Sequence, residues 1–260
     1  MKKWIYRSFI ELTNQRFVSY GLYKFTRSRM SKSFIRSFAR YYRINAVEME
    51  KSMDDYKTLH QFFVRKLKKG TRPISSEPMS VVSPVDAVIV DVGKVTPTKE
   101  IFVKGKTYSI SEMLGSEEIA ERYRGGMYII FYLSPGHYHR IHSPFTGDVM
   151  EQWSLGGLSY PVNKYGLKYG KSPLSKNYRR ITELKHSQGS IAIVKVGAMF
   201  VNSIHISNPN KRWEKGEEIA YFSFGSTVIL LFNEETFQLS SEINVPMDVK
   251  VGQKIGTIIC

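Results

Sequence analysis

Cysteine is nearly absent from this 260-residue chain, which has only Cys260. That excludes an intramolecular disulfide and a cysteine-ligated zinc cluster, and it fits a reducing compartment. Long apolar runs are missing as well. No stretch reaches the roughly 20 apolar residues of a transmembrane helix, and no signal-peptide core with a cleavage site follows the basic start. Acidic residues are scarce in one region: from Met1 to Arg43 eleven bases face Glu11 alone. Two-thirds of the formal net charge of +15 therefore lies in that segment.

The basic segment has helical spacing. Ile5, Phe9 and Leu12 fall on one face, as do Phe34, Phe38 and Tyr41, while Lys32, Arg36, Arg40 and Arg43 make a basic ridge. Such helices lie on anionic membrane surfaces, or dock on their own domain or on nucleic acid. "EMEKSMDDYKTLHQFFVRKLKKGTRPI" reads as a short helical passage ending at Gly70 and Pro73, with Leu59, Phe62 and Phe63 facing a core. From Val81 the texture turns to short branched-apolar runs broken by Gly, Pro and Asn. "VVSPVDAVIVDVGKV", "GGMYIIFYLSP", "SIAIVKVGAMFVNSI", "EIAYFSFGSTVILLF" and "VKVGQKIGTII" read as strands. The expected class is α+β: a β-rich sandwich or compact barrel over residues 71–260, preceded by amphipathic N-terminal helices over 1–70. Ser83-Pro84-Val85-Asp86-Ala87 echoes Ser143-Pro144-Phe145-Thr146-Gly147, a weak sign of two related halves.

Three features carry chemistry. Gly225-Ser226-Thr227 interrupts the apolar run "FSFGSTVILLF" either as a bulge or as a permissive peptide bond that the Ser226 hydroxyl attacks. His137, His139 and His142 suit zinc or general acid–base work. Asp86, at the entrance to a strand, suits turn capping or the orientation of an imidazole. Residue types alone leave open a zinc-dependent hydrolase built on His137, His139 and His142. They also leave open a non-enzymatic β-domain that binds anionic lipid.

"SPVDA", "YLSPGHYHRIHSP", "SYPVN", "VGAMFVNSI" and above all "FSFGSTVILLF", in this order, resemble the pyruvoyl-dependent phosphatidylserine decarboxylase family along nearly the whole chain. The resemblance implies self-cleavage between Gly225 and Ser226, giving a large subunit (1–225) and a small one (226–260). Residue 226 would become a covalent pyruvoyl group, the only cofactor, with no metal. Asp86, His142 and Ser226 would form the self-cleavage triad. The pyruvoyl carbonyl would take phosphatidylserine as a Schiff base and release phosphatidylethanolamine, with His139 protonating the α-carbon and Val196 to Met199 lining the pocket. The implied location is peripheral, on the cytoplasmic face of the cell membrane, with an anionic surface and no nucleic acid as partner; a homodimer stays open. Two positions depart from the family pattern: Ala87 stands where glycine is usual, and Gly136 where a charged residue is common.

Overall fold

The structure, a computed structural model, describes residues 16–198, 204–223 and 226–259. The Ile5, Phe9 and Leu12 stripe, Met199 and Gly225 lie outside them.

Three short helical segments, Arg16–Arg27, Arg29–Phe34 and Ile35–Tyr41, open the described chain. The apolar stripe is shifted from the one expected. Ile35 and Ala39 are buried with Phe38 packed beside them, whereas Phe34 and Tyr41 are exposed. The reason is a break at residue 34: Phe34 ends a 3-10 turn, so the α-helical register starts afresh at Ile35. The ridge Lys32, Arg36, Arg40 and Arg43 is exposed as spaced. In the next passage only Leu59–Phe63 is α-helical, with the Thr58 hydroxyl accepting from Gln61 N–H as its N-cap. Leu59, Phe62 and Phe63 are buried there.

The β-rich part is built on one eight-stranded antiparallel sheet. Its order is Arg212–Trp213, Gly147–Leu155, Arg179–His186, Gly189–Gly197, Ser226–Phe232, Met127–Leu133, Ala87–Lys94 and Met247–Val249. Alternation sends Val228 and Leu230 to one face, where they pack with Phe131, Ile193, Ile141 and Phe222. Ile229 and Leu231 go to the other, against Val194, Ile110 and Met113. The first face is covered by two three-stranded sheets: Ser80–Val82, Lys254–Ile258, Phe237–Leu239, and Ile204–Ile206, Glu218–Phe222, Arg140–His142. The second is covered by helices Ile110–Leu114 and Glu117–Glu121 and by the hairpin of Glu100–Val103 with Lys106–Ser109. Burial on both faces explains why Ser226–Phe232 is apolar at consecutive positions rather than alternating. The fold is thus α+β and sandwich-like. The large sheet ends in two edge strands, so the described residues form no closed barrel.

Three runs read as single strands, those beginning at Val81, Ser190 and Glu218, are each two strands in different sheets, and the histidine segment after Leu133 changes sheet as well. The chain leaves the large sheet at Leu133 and resumes in the small sheet at Arg140; it leaves at Gly197 and resumes at Ile204. Glu218–Phe222 belongs to the small sheet and Ser226–Phe232 to the large one, so the chain changes sheet between Phe222 and Ser226. These crossings share one corner, because Ser226 is opposite both Leu133 and Gly197, and Phe222 is opposite Ile204.

The echoed turns are physically alike. Ser83 Oγ donates to Val85 O and Ser143 Oγ to Phe145 O, both at 2.7 Å. Val82 N–H donates to Pro144 O (2.9 Å) while His142 N–H donates to Pro84 O (2.8 Å), so the two copies exchange bonds about an approximate two-fold axis. At equivalent places the Asp86 carboxylate accepts from Val251 N–H and Thr146 Oγ1 accepts from Lys215 N–H. Ala87 begins a strand and is not in a left-handed conformation, so the missing glycine has no geometric consequence at that point.

Candidate functional site

Ser226 lies at the corner of the sandwich and is fully buried. Register places it on the Val228 face, toward the small sheet that carries the histidines. Its Oγ is buried without a hydrogen-bond partner among the described residues. A buried, unpaired hydroxyl costs free energy that an ordinary core position avoids by using alanine or valine.

Pro135 and Gly136 end the strand before the histidines, so His137 and His139 lie in the connection between strands Met127–Leu133 and Arg140–His142. A Cβ on Gly136 would come within 2.6 Å of Tyr42 O, so glycine there lets the end of helix Ile35–Tyr41 seat against this turn. His137 Nδ1 accepts from Ser134 N–H. His139 is completely buried, with its ring against Phe63 at a centroid separation of 3.9 Å. Its Nδ1–H donates to His137 O (2.9 Å), which leaves Nε2 as a buried lone pair without a partner among the described residues. The His139 carbonyl accepts from Phe222 N–H, fixing this residue beside the crossing that leads to Ser226.

His142 lies at the other end of strand Arg140–His142, opposite Glu218. Its Nδ1–H donates to Gly216 O at 2.7 Å, and its Nε2 is buried and has no partner among the described residues. Burial lowers the His142 pKa, opposed by Gly216 O and by the negative charges of Glu218 and Asp86. Burial also holds His139 well below the usual imidazole range, with the Arg65 charge adding to the effect. Both rings are therefore neutral near pH 7, in the tautomer that presents Nε2 as a base.

Asp86 approaches His142 because Pro84 O accepts from His142 N–H, but no hydrogen bond joins the two side chains among the described residues. Its carboxylate accepts from Arg72 Nε and Nη2 (2.9 and 2.5 Å) and from Val251 N–H. Arg72 Nη2 also reaches Glu48 at 2.8 Å, tying the segment before the sheets to the site. Sequence reasoning missed Arg72, the Gly216 carbonyl and Arg65. The "TRPI" and "FFVR" stretches look like solvated basic sequence, and only burial sets these arginines apart. On the far side, Asn177 Nδ2 donates to Tyr160 O and to Gly197 O, pinning the "SYPVN" loop to the residue opposite Ser226.

The family profile described as Phosphatidylserine decarboxylase matches residues 59–257. A relative from Anoxybacillus flavithermus (strain DSM 21510 / WK1), named phosphatidylserine decarboxylase proenzyme, is 62% identical over 98% of this chain and 97% of its own. Relatives of the same name from Geobacillus sp. (strain WCH70) and Bacillus anthracis are 58% and 52% identical, each over at least 98% of both chains. The chain belongs to the phosphatidylserine decarboxylase family. As a member it is a carboxy-lyase, and the shared name of its relatives is that of a precursor. The zinc-hydrolase alternative finds no support in this site. The three histidines direct Nδ1 to three separate backbone groups, and the described residues contain no grouping of three His, Cys, Asp or Glu side chains placed to hold a metal.

Proposed function

We propose that this chain cleaves itself between Gly225 and Ser226 and then decarboxylates phosphatidylserine to phosphatidylethanolamine with the pyruvoyl group formed at residue 226. The observation that carries this reading is the corner of the sandwich. The reading is supported, in a chain of this family, by the buried Ser226 hydroxyl and by two imidazoles on the small sheet that its face turns toward, all three unpartnered at Oγ or Nε2 among the described residues.

His142 Nε2 takes the Ser226 hydroxyl proton as Oγ attacks the Gly225 carbonyl carbon, and the peptide C–N bond breaks to give an ester. Elimination releases Gly225 as a carboxylate and leaves dehydroalanine at 226; water then replaces its nitrogen, which departs as ammonia. Gly216 O fixes the His142 tautomer, and Asp86 supports the imidazolium through its charge. Ser226 fits as the origin of the group, because its main chain is held by strands on both sides while its Oγ is left unpaired. The pyruvoyl carbonyl supplies an electron sink for the electrons left when the carboxyl group departs. His139 Nε2, unpartnered among the described residues, can take up a proton and deliver it to carbon; Val196 and Ala198 pack on the face of the sheet away from Ser226, so they do not line the site as the resemblance implies.

A lipid substrate requires contact with a membrane. No helix among the described residues is long and apolar enough to cross one. Met30, Phe34, Tyr41 and Val47 are exposed on the same segment as the basic ridge, a combination that supports peripheral docking on an anionic leaflet. Arg36 also pairs with Asp54 at 2.9 Å on the exposed surface, which leaves its charge mostly available. Changing Arg36, Arg40 and Arg43 together to Glu is expected to weaken co-sedimentation with phosphatidylserine-containing liposomes at least about tenfold, with self-cleavage unchanged; equal sedimentation would refute the docking surface.

The proposed chemistry is tested by intact mass spectrometry of the purified protein. Two fragments divided after Gly225 are expected, the smaller one lighter by one ammonia than a serine-started peptide of residues 226–260, as a pyruvoyl terminus requires. A single uncleaved chain in a folded sample supplied with lipid would overturn it.

A further inference from the structure

Arg65 has no task in the chemistry above, yet it is 4% exposed and lies beside the reacting histidines. Its Nη2 donates to Gly136 O (2.8 Å) and His137 O (3.1 Å). Its Nε and Nη1 are buried with no hydrogen-bond partner among the described residues. Among the described residues no carboxylate is hydrogen-bonded to it. Asp86 is engaged by Arg72, and Glu218 by Arg140 at 2.5 Å. Burial lowers the Arg65 pKa to about 10, so the group stays a cation at every physiological pH. A cavity of about 510 Å³ opens beside it, where Arg65, Arg140, Lys51, Lys57 and Lys66 outnumber the carboxylates of Glu50 and Asp55. A desolvated guanidinium with idle donors is costly unless an anion completes it.

Resting on the reading of the site given above, we infer that Arg65 binds the phosphodiester oxyanion of the substrate headgroup. The substrate has two anionic groups, and the reaction separates them. The carboxylate loses its charge as carbon dioxide leaves, so a guanidinium on it would stabilise the ground state more than the transition state and slow the step. The phosphodiester keeps its charge from substrate through product. An arginine there anchors the headgroup equally at every stage and leaves the carboxylate free to enter an apolar pocket.

The test uses self-cleaved wild type, Arg65→Gln and Arg65→Lys with dihexanoyl phosphatidylserine at constant ionic strength. Arg65→Gln is expected to raise KM about 10- to 100-fold with kcat within about threefold, the pattern of lost uniform binding, and Arg65→Lys to recover part of it. An unchanged KM, or a fall in kcat alone, overturns the inference. A second arm needs no variant: in wild type, potassium phosphate is expected to inhibit competitively beyond potassium chloride of equal ionic strength. Equal effects of the two salts overturn it, and this arm decides alone if Arg65→Gln does not self-cleave. Inhibition by phosphate with KM unmoved in Arg65→Gln marks a site for free phosphate and overturns the headgroup assignment. Wild type that leaves phosphatidylserine intact refutes the proposed function itself; wild type that turns it over while both arms fail refutes Arg65 alone.

Discussion

His142→Ala is expected to leave the chain uncut, with self-cleavage slowed about a thousandfold, in the range for loss of a general base. His139→Ala is expected to cleave at the normal rate and then fail at decarboxylation by about 10²- to 10⁴-fold. The two variants separate maturation from turnover, and electrophoresis followed by a carbon dioxide assay reads both. Because Gly216 O already holds the His142 tautomer, Asp86→Asn is expected to slow cleavage by only about tenfold, less than a carboxylate-oriented triad would require. The pH profile follows from burial. With the His142 pKa lowered below its usual 6.5 by burial, the cleavage rate is expected to fall on acidification with a midpoint below pH 6.5. A decline centred above pH 6.5 would exclude His142 as the base.

The largest effect on stability is expected at Lys195, which is fully buried in strand Gly189–Gly197, opposite Val228. Its Nζ donates to Thr182 Oγ1 (2.9 Å) and Ile193 O (3.2 Å), with no carboxylate in reach among its bonded partners. Burial first, then the Arg180 charge, lowers its pKa to about 7. Between that value and the ordinary 10.5 the unfolded chain binds a proton that the folded chain does not, so stability rises with pH across this window and the penalty is complete below it. Lys195→Met keeps the volume and removes the penalty. It is expected to stabilise the fold by about 2–4 kcal/mol at pH 7 and to abolish this part of the slope. Urea denaturation of the parent and the variant at pH 7, 8 and 9, both in the uncleaved Ser226→Ala background, reads the difference. Parallel pH dependences would show that the lysine is not buried as a free base.

Much of the fold was legible because burial on a strand leaves a compositional mark. "EIAYFSFGSTVILLF" announced strands, but the pattern could not tell one from two: both pieces are buried, and hydrophobicity does not register a change of sheet. Strands Gly147–Leu155 and Arg179–His186 were missed because they mix polar side chains such as Glu151, Gln152, Arg180 and Lys185 with their apolar ones. Asp86, His139, His142 and Ser226 became candidates through chemistry and family likeness. The groups that hold them were less accessible. Gly216 acts through a carbonyl that every residue possesses, and Arg65 and Arg72 stand among the lysines of residues 66–69. The echo of Ser83-Pro84 in Ser143-Pro144 was weak as a pattern of letters, yet the two turns bond to each other and bring Asp86 toward His142.

The place of the crossing also decides what becomes of the pieces. Strand Ser226–Phe232 is laddered to Met127–Leu133 on one side and Gly189–Gly197 on the other, while Phe237–Leu239, Met247–Val249 and Lys254–Ile258 tie residues beyond it into two sheets. A cut before residue 226 therefore breaks no ladder bond of that strand. On the proposed cleavage the two products would stay interwoven through a shared interior and part only by unfolding, so a severed chain would remain one working body.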